Sequence, residues 1–329
     1  MNWRSKKVLV TGAGGFIGSH LCEALLATGA EVTAMLRYSS RHDWGNLEFL
    51  SSEDKSRLKV VAGNIEDSDF VAQQVKGKEV VFHLAALIAI PYSYVAPRSY
   101  VRTNVEGTLN VLEAARNYGV EKIVHTSTSE TYGTALYAPI DEKHPLQGQS
   151  PYSASKIGAD KIAESYHCSY DLPVATIRPF NTFGPRQSAR AIIPTIISQA
   201  LTQSEIRLGS LDPVRDLSFV KDTAQAFIKI AESADAVGET INIGSGKGIS
   251  IGQLAALILE LMNCKKEVVT DSQRIRPSRS EVMKLMCDSS KALKLIGWKP
   301  TYTLREGLAE VVEFVAGHAQ QYRSDKFVL

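Results

Sequence analysis

Short apolar runs alternate with amphipathic stretches from the amino terminus to about residue 180. Lys7-Val-Leu-Val-Thr11 has strand length and ends in glycines. Apolar positions at helical spacing follow from Phe16 to Ala27, which predicts strand, tight turn, helix. Similar runs at Glu31–Leu36, Leu58–Ala62, Glu79–His83, Glu121–His125 and Leu172–Ile177 predict further strands. Helices are expected between them over Asp67–Val75, Arg98–Tyr118 and Pro151–Tyr170. Alternating strands and helices without an internal repeat predict an α/β fold, a Rossmann-like doubly wound parallel sheet. Beyond residue 180 the elements become shorter and mixed. Helices are expected over Ile192–Leu201, Phe219–Ala231 and Ile251–Met262, a strand at Thr240–Ile243, and a loop or short strand pair over Ile206–Asp216. Leu304, Leu308, Val311, Val312 and Val315 mark one face of a last helix. The expected division is a larger domain over 1–180 and a smaller mixed α/β carboxy-terminal lobe over 181–329, some of whose segments could return to the main sheet.

Composition narrows the function without naming it. The 329 residues carry a formal net charge of +2, with 44% hydrophobic and 22% charged residues. That balance gives no footprint for nucleic acid or a membrane surface, so an anionic ligand must be met locally. The longest apolar run, Val80–Ile90, contains His83 and is too short to span a bilayer. Cys22, Cys168, Cys264 and Cys287 are scattered without metal-ligand or redox spacing. They read as reduced thiols of a cytoplasmic protein, with no metal site. Met1–Lys7 is basic, but Thr11-Gly-Ala-Gly-Gly15 breaks the apolar run behind it, unlike a signal peptide.

The first turn carries Gly12, Gly14, Gly15 and Gly18, followed into the helix by Phe16 and Ile17. Glycines at a strand-to-helix turn leave pyrophosphate free to approach backbone N–H groups at the helix N-terminus. A glycine cluster can also be a mere tight turn; the strand-turn-helix frame favours a dinucleotide. At the end of the second strand, where an NAD site usually has a carboxylate for the ribose, stands Arg37. A guanidinium suits a 2′-phosphate, which tilts the expected cofactor from NAD toward NADP. Asn64 and Ile65 follow the third strand, where adenine should lie. Leu84, Ala85 and Ala86 follow the fourth, small enough for close cofactor approach. His83 reads as a strand-end core residue.

Tyr152 and Lys156 lie four apart on the helix after Pro151, which puts both side chains on one face, so a lysine can lower a phenol's pKa there. The spacing alone is weak, because Tyr118/Lys122 and Tyr322/Lys326 repeat it outside any suitable helical frame.

With these residues in place, the chain resembles the extended short-chain dehydrogenase/reductases that act on nucleotide sugars. The resemblance runs in order through Thr11–Gly18, His83–Ala86, Asn104–Thr108, Ser127–Gly133, Tyr152–Lys156, Arg178–Gly184 and Arg215–Asp222. It implies a Rossmann domain, a lobe for the nucleoside-diphosphate sugar, and a homodimer through the 98–118 and 151–170 helices. It also implies that Thr128 assists Tyr152, and that Asn181 and Arg215, with Arg186, Arg276 and Arg279 behind them, bind substrate. Glu130 after Thr128 and Ser129 resembles the carboxylate of 4,6-dehydratases. The segments Arg37–Arg41, Asp43–Gly45, Gln147–Tyr152 and Arg276–Val282 look most like the legionaminic-acid-type enzymes, which act on nucleotide-linked N-acetylglucosamine. Those are named NAD-dependent, in tension with Arg37.

The resemblance implies a nucleotide-sugar 4,6-dehydratase, a lyase acting on UDP- or GDP-N-acetylglucosamine, with Thr128, Ser129, Glu130, Tyr152 and Lys156 as catalytic residues. UDP-glucuronate decarboxylases share the Thr-Ser-Glu order, so decarboxylation and 4-epimerisation stay open. So does a silent cofactor-binding regulator, against which the joint presence of Thr128, Tyr152 and Lys156 argues.

Overall fold

A computed structural model describes residues 1–40, 43–274 and 282–322. In chain order the first half runs β1 (Lys7–Thr11), α1 (Phe16–Ala27), β2 (Glu31–Arg37), α2 (Ser52–Arg57), β3 (Lys59–Gly63), α3 (Ser68–Val75), β4 (Val80–His83), α4 (Ile90–Val95), α5 (Pro97–Tyr100) and α6 (Gly107–Tyr118). Then come β5 (Lys122–Thr126), α7 (Pro151–Tyr170) and β6 (Val174–Pro179). The second half contributes β7 (Asn181–Phe183), α8 (Ile192–Thr202), β8 (Ile206–Leu208), β9 (Val214–Phe219), α9 (Val220–Glu232) and β10 (Thr240–Ile243). It ends with β11 (Gly248–Ser250), α10 (Ile251–Leu261), β12 (Val268–Thr270), β13 (Lys284–Leu285), α11 (Ser290–Ile296) and α12 (Leu304–Gly317).

Seven parallel strands form the main sheet in the order β10-β6-β5-β4-β1-β2-β3. Strand order reverses between β1 and β4, and open sheets of this kind bind ligands at that crevice. Thr11 pairs with Met35 on one side and His83 on the other, so their carboxyl ends open onto one edge. Both faces are covered, as the period-2 alternation of buried strands requires. Val8, Val10, Val80 and Phe82 meet Leu21 and Leu25 of α1 and Phe227 and Ile230 of α9. From the opposite face Leu9, Val81 and Ile123 meet Val71 of α3, Val111 and Leu112 of α6, and Ala163 of α7.

A second core joins α8, α10 and α12 through Ile193, Ile197, Leu254, Ile258, Leu308 and Val311. It packs beside a four-stranded sheet in which β9 pairs with β7, β11 and β13. The expected loop or strand pair over 206–216 is β8 plus the start of β9. The 98–118 helix is interrupted: α5 passes through a π-helical turn at Val101–Glu106 before α6. At that turn Asn104 is buried and held by Leu87 N–H and carbonyl and by Ser155 Oγ, bonds that a hydrophobic pattern does not disclose.

No helix among the described residues is long and apolar enough to cross a membrane. The four cysteines are free. Among the described residues no group of His, Cys, Asp or Glu could hold a metal ion.

Candidate active site

A cavity of about 1040 Å³ opens at the carboxyl ends of β1, β4, β5 and β6 and extends to the start of α8. Its floor is the glycine turn. Gly12 has φ +70°, and a Cβ there would lie 2.8 Å from Ala85 N; one on Gly18 would lie 2.3 Å from the Gly12 carbonyl oxygen. Thr11 Oγ1 accepts from Leu84 N and Ala85 N at 3.1 Å each, which presses the β4 extension against the turn. Gly12, Gly15, Phe16, Ile17, Gly18, Arg37, Leu84 and Ala86 all line the cavity, joined by Ser39, Asp43 and Trp44. Asn46 N–H, following Trp44 and Gly45, donates to the Gly14 carbonyl at 2.9 Å. Asn64, Ile65 and Ala85 do not line the cavity: Asn64 caps Glu66 N at 3.2 Å, and Ile65 is buried in the α3/α6 core.

Thr126–Glu130 forms the next wall, where β5 passes into a 3₁₀ turn at Ser129–Tyr132. Opposite it, Ser150 caps α7 through a reciprocal Ser150/Ser153 box with Pro151 in the first turn, so the helix starts just before Tyr152. Thr128, Ser129, Glu130, Tyr152 and Lys156 thereby share one cavity. Lys156 Nζ donates to the Thr126 carbonyl at 2.6 Å. Burial lowers its pKa to about 8, with Asp160 opposing and Arg178 reinforcing that fall. Burial pushes the Tyr152 phenol well up, a hydrogen bond with Thr128 works the other way, and the Glu130 carboxylate adds to the rise. Burial thus favours the neutral phenol, and a cation beside it would favour the phenolate that acts as a base.

Beneath the wall lies a buried polar network. Asp160, four residues past Lys156, takes hydrogen bonds from Ser127 Oγ at 2.5 Å and Arg178 Nη2 at 2.8 Å, and pairs with His125 Nε2 at 3.0 Å. Arg178 also donates to Ser127 Oγ at 3.1 Å and Tyr132 OH at 2.7 Å. Burial alone would raise Asp160, but His125, Arg178 and Lys156 outweigh it and hold the carboxyl well below its usual range. His83 is buried between Thr11 Oγ1 and Thr108 Oγ1, at 2.9 and 3.0 Å, in keeping with a core role.

The arginines expected for substrate are distributed differently. Asn181 lines the cavity and its buried Oδ1 lacks a partner among the described residues. Arg186 does not line it: its guanidinium is drawn to Glu23 of α1, 2.9 Å away. Arg215 is also off the wall, buried on β9 with Nη1 donating to the Val214 carbonyl at 3.1 Å. Arg276 and Arg279 lie outside the described residues. Arg190 and Arg274 line the cavity instead, although no motif singled them out. Asp160 had a signal in its spacing, since Tyr152, Lys156 and Asp160 repeat on one helical face. Tyr92 lines the mouth, whereas Tyr94 is half exposed away from it.

The open cradle at Gly12 and Gly18 and the buried Thr126 Oγ1, Asn181 Oδ1 and Gln187 Oε1, which have no partner among the described residues, fit a large polar ligand lying across the cavity.

A family model described as GDP-mannose 4,6 dehydratase matches residues 9–311. A UDP-glucose 4-epimerase of Mycolicibacterium smegmatis is 35% identical, with 95% of this chain and 100% of the relative covered. A UDP-N-acetylglucosamine 4-epimerase from Methanobrevibacter ruminantium M1, solved with UDP-N-acetylmuramic acid, superposes with TM-score 0.87 at 32% identity, covering 96% of this chain and 99% of that one. The dTDP-glucose 4,6-dehydratase DesIV from Streptomyces venezuelae, solved with NAD bound, gives TM-score 0.86 at 28% identity and coverage of 95% and 98%.

Proposed function

Because the chain belongs to the GDP-mannose 4,6-dehydratase family of extended short-chain dehydrogenase/reductases, whose members include nucleotide-sugar dehydratases and epimerases, we propose that it is a 4,6-dehydratase. The proposed substrate is UDP- or GDP-N-acetylglucosamine, as in the legionaminic-type enzymes, and the product the 4-keto-6-deoxy sugar. One observation carries this reading: the Glu130 carboxylate shares a cavity with Tyr152 and Lys156. The second reading is a 4-epimerase, favoured by the epimerases among the relatives.

A nicotinamide dinucleotide, NAD or NADP, supplies the hydride acceptor and donor when bound. Gly12, Gly15 and Gly18 would cradle its pyrophosphate, and Arg37 at the end of β2 tilts the local chemistry toward NADP. Tyr152 takes the proton of the C4 hydroxyl, with Lys156 stabilising the phenolate and Thr128 hydrogen-bonded to it. Oxidation at C4 acidifies the C5 proton, which Glu130 removes. The C6 hydroxyl leaves as water, protonated by Glu130 or through Ser129; C6 then takes back the hydride removed from C4 and C5 takes a proton, which balances the one Tyr152 removed. The net change is loss of one water. Asn181, Arg190 and Arg274 are the proposed contacts to the sugar diphosphate, where donors from two sides suit its charge. We also propose a cytoplasmic homodimer joined through the α5–α6 segment and α7.

The test is mass spectrometry of products from UDP- and GDP-N-acetylglucosamine. Loss of one water without net reduced cofactor is expected. An isobaric product would establish epimerisation instead, and carbon dioxide from a UDP-uronate would establish decarboxylation.

A further inference from the structure

The Arg178 guanidinium is 4% exposed and uses all three of its nitrogens inside the protein. Nε reaches Ser127 and Nη1 reaches Tyr132. These two residues bracket Thr128, Ser129 and Glu130, so one planar fork spans the whole cavity-facing turn. Nη2 reaches Asp160, which lies one helical turn past Lys156 on α7. Asp160 also takes the Ser127 hydroxyl, so the same carboxylate and guanidinium grip the turn and the helix together. The Arg178 ring-face contact to Tyr132, with Cζ 4.7 Å from the ring centroid, and the Tyr132 OH donation to Asn242 Oδ1 at 2.8 Å extend the anchor to β10.

We infer that Arg178 is a positioning residue: through Ser127, Tyr132 and Asp160 it fixes the turn carrying Thr128 against the helix carrying Tyr152. A lysine would keep the charge but could not hold three partners in a plane. Thr128 and Tyr152 face the same cavity from the two gripped elements, and their alignment depends on how turn and helix are held. That alignment is the feature most exposed to a small relative shift, because misplacement on the order of 1 Å can cost about 10²-fold in rate. Asp160 shares the task, since without it the guanidinium would be buried and unpaired.

The inference rests on reading Thr128 and Tyr152 as the pair that handles the C4 hydroxyl proton, a step common to dehydratase and epimerase. The test combines a double-mutant cycle with a crystal structure of the full-length protein. Thr128→Val, Arg178→Lys and the double variant are assayed for kcat and KM in whichever nucleotide-sugar reaction the wild type performs. Each single variant is expected to lose roughly 10²-fold in kcat, with KM nearly unchanged and the double no slower than the worse single variant. The Arg178→Lys structure is expected to show the Thr128 hydroxyl displaced from Tyr152. Fully additive losses, or a rise in KM with kcat intact, would overturn the inference. So would an Arg178→Lys structure with Thr128 in place, and this readout holds even if the wild type turns over no nucleotide sugar. Should Arg178→Lys fail to fold, Ser127→Ala, which removes one prong of the fork, goes through the same cycle and crystallography; no displacement and additive losses there sink the idea.

Discussion

Lys156 donates from its ammonium to the carbonyl of Thr126, 2.6 Å away, and so ties the second turn of α7 to the last residue of β5. The partner in this contact is a carbonyl, not a carboxylate. The lysine's charge is therefore set by burial and by the more distant Asp160 and Arg178.

Lys156 has its pKa lowered from 10.5 to about 8. The charged form is the one that assists Tyr152, so kcat should fall as pH rises through about 8. Asp160 raises this pKa and Arg178 lowers it, so Asp160→Asn should move the alkaline limb down and Arg178→Gln should move it up. Stability follows linkage with its own sign. The unfolded chain binds more protons between about 8 and 10.5, so wild-type stability relative to Lys156→Met should rise with pH across that window. A limb that both substitutions move the same way would refute the assignment.

Glu130→Gln should retain oxidation at C4 but lose water elimination by about 10²–10⁴-fold. Rapid mixing with the nucleotide sugar should then show reduced cofactor accumulating without a product lighter by one water. Unchanged elimination would remove Glu130 from the mechanism.

Gly18→Ala would place a methyl 2.3 Å from the Gly12 carbonyl oxygen, which the tight turn can relieve only by moving the backbone that cradles pyrophosphate. Overpacking of this kind costs about 1–3 kcal/mol, and every 1.4 kcal/mol is about tenfold in affinity. Calorimetric titration should show dinucleotide binding weakened to the extent that the cradle itself shifts, and the melting temperature without cofactor should fall by the overpacking cost.

Arg37→Glu should weaken NADP by tenfold or more, about 1.4 kcal/mol, and leave NAD unchanged or improved. Equal losses for both cofactors would show that Arg37 does not read the 2′-phosphate. The cofactor that copurifies with the wild type gives a second, independent answer.

Asp160→Ala removes the carboxylate that pairs with Arg178 at 2.8 Å and leaves a buried guanidinium without that counter-charge. Breaking a buried pair costs about 3–5 kcal/mol. The Asp160 pKa is depressed in the folded state, so this stabilisation is full above the ordinary aspartate range and is lost as pH falls below it. The difference in melting temperature between wild type and variant should shrink toward acid pH.

The alternating strands and helices of the first half were legible because parallel strands buried on both faces read as apolar runs, and helices keep one apolar stripe. Tyr152, Lys156 and the Thr128–Glu130 triplet were legible because short motifs fix their mutual spacing, and the structure gathers them around one cavity. The arginines were not. A guanidinium's destination depends on partners distant in sequence, such as Glu23 for Arg186, which leaves Arg190 and Arg274 on the wall. The π-helical turn at Val101–Glu106 escaped for a related reason, since Asn104 is drawn inward by Leu87 and Ser155 rather than by periodicity.

Strand β10 enters the main sheet beside β6 although it lies beyond residue 239, after the first segments of the lobe have been laid down. During synthesis the sheet cannot be completed until that strand has left the ribosome, and until then β6 presents an open edge. A chain truncated at residue 180 should therefore aggregate rather than bind dinucleotide.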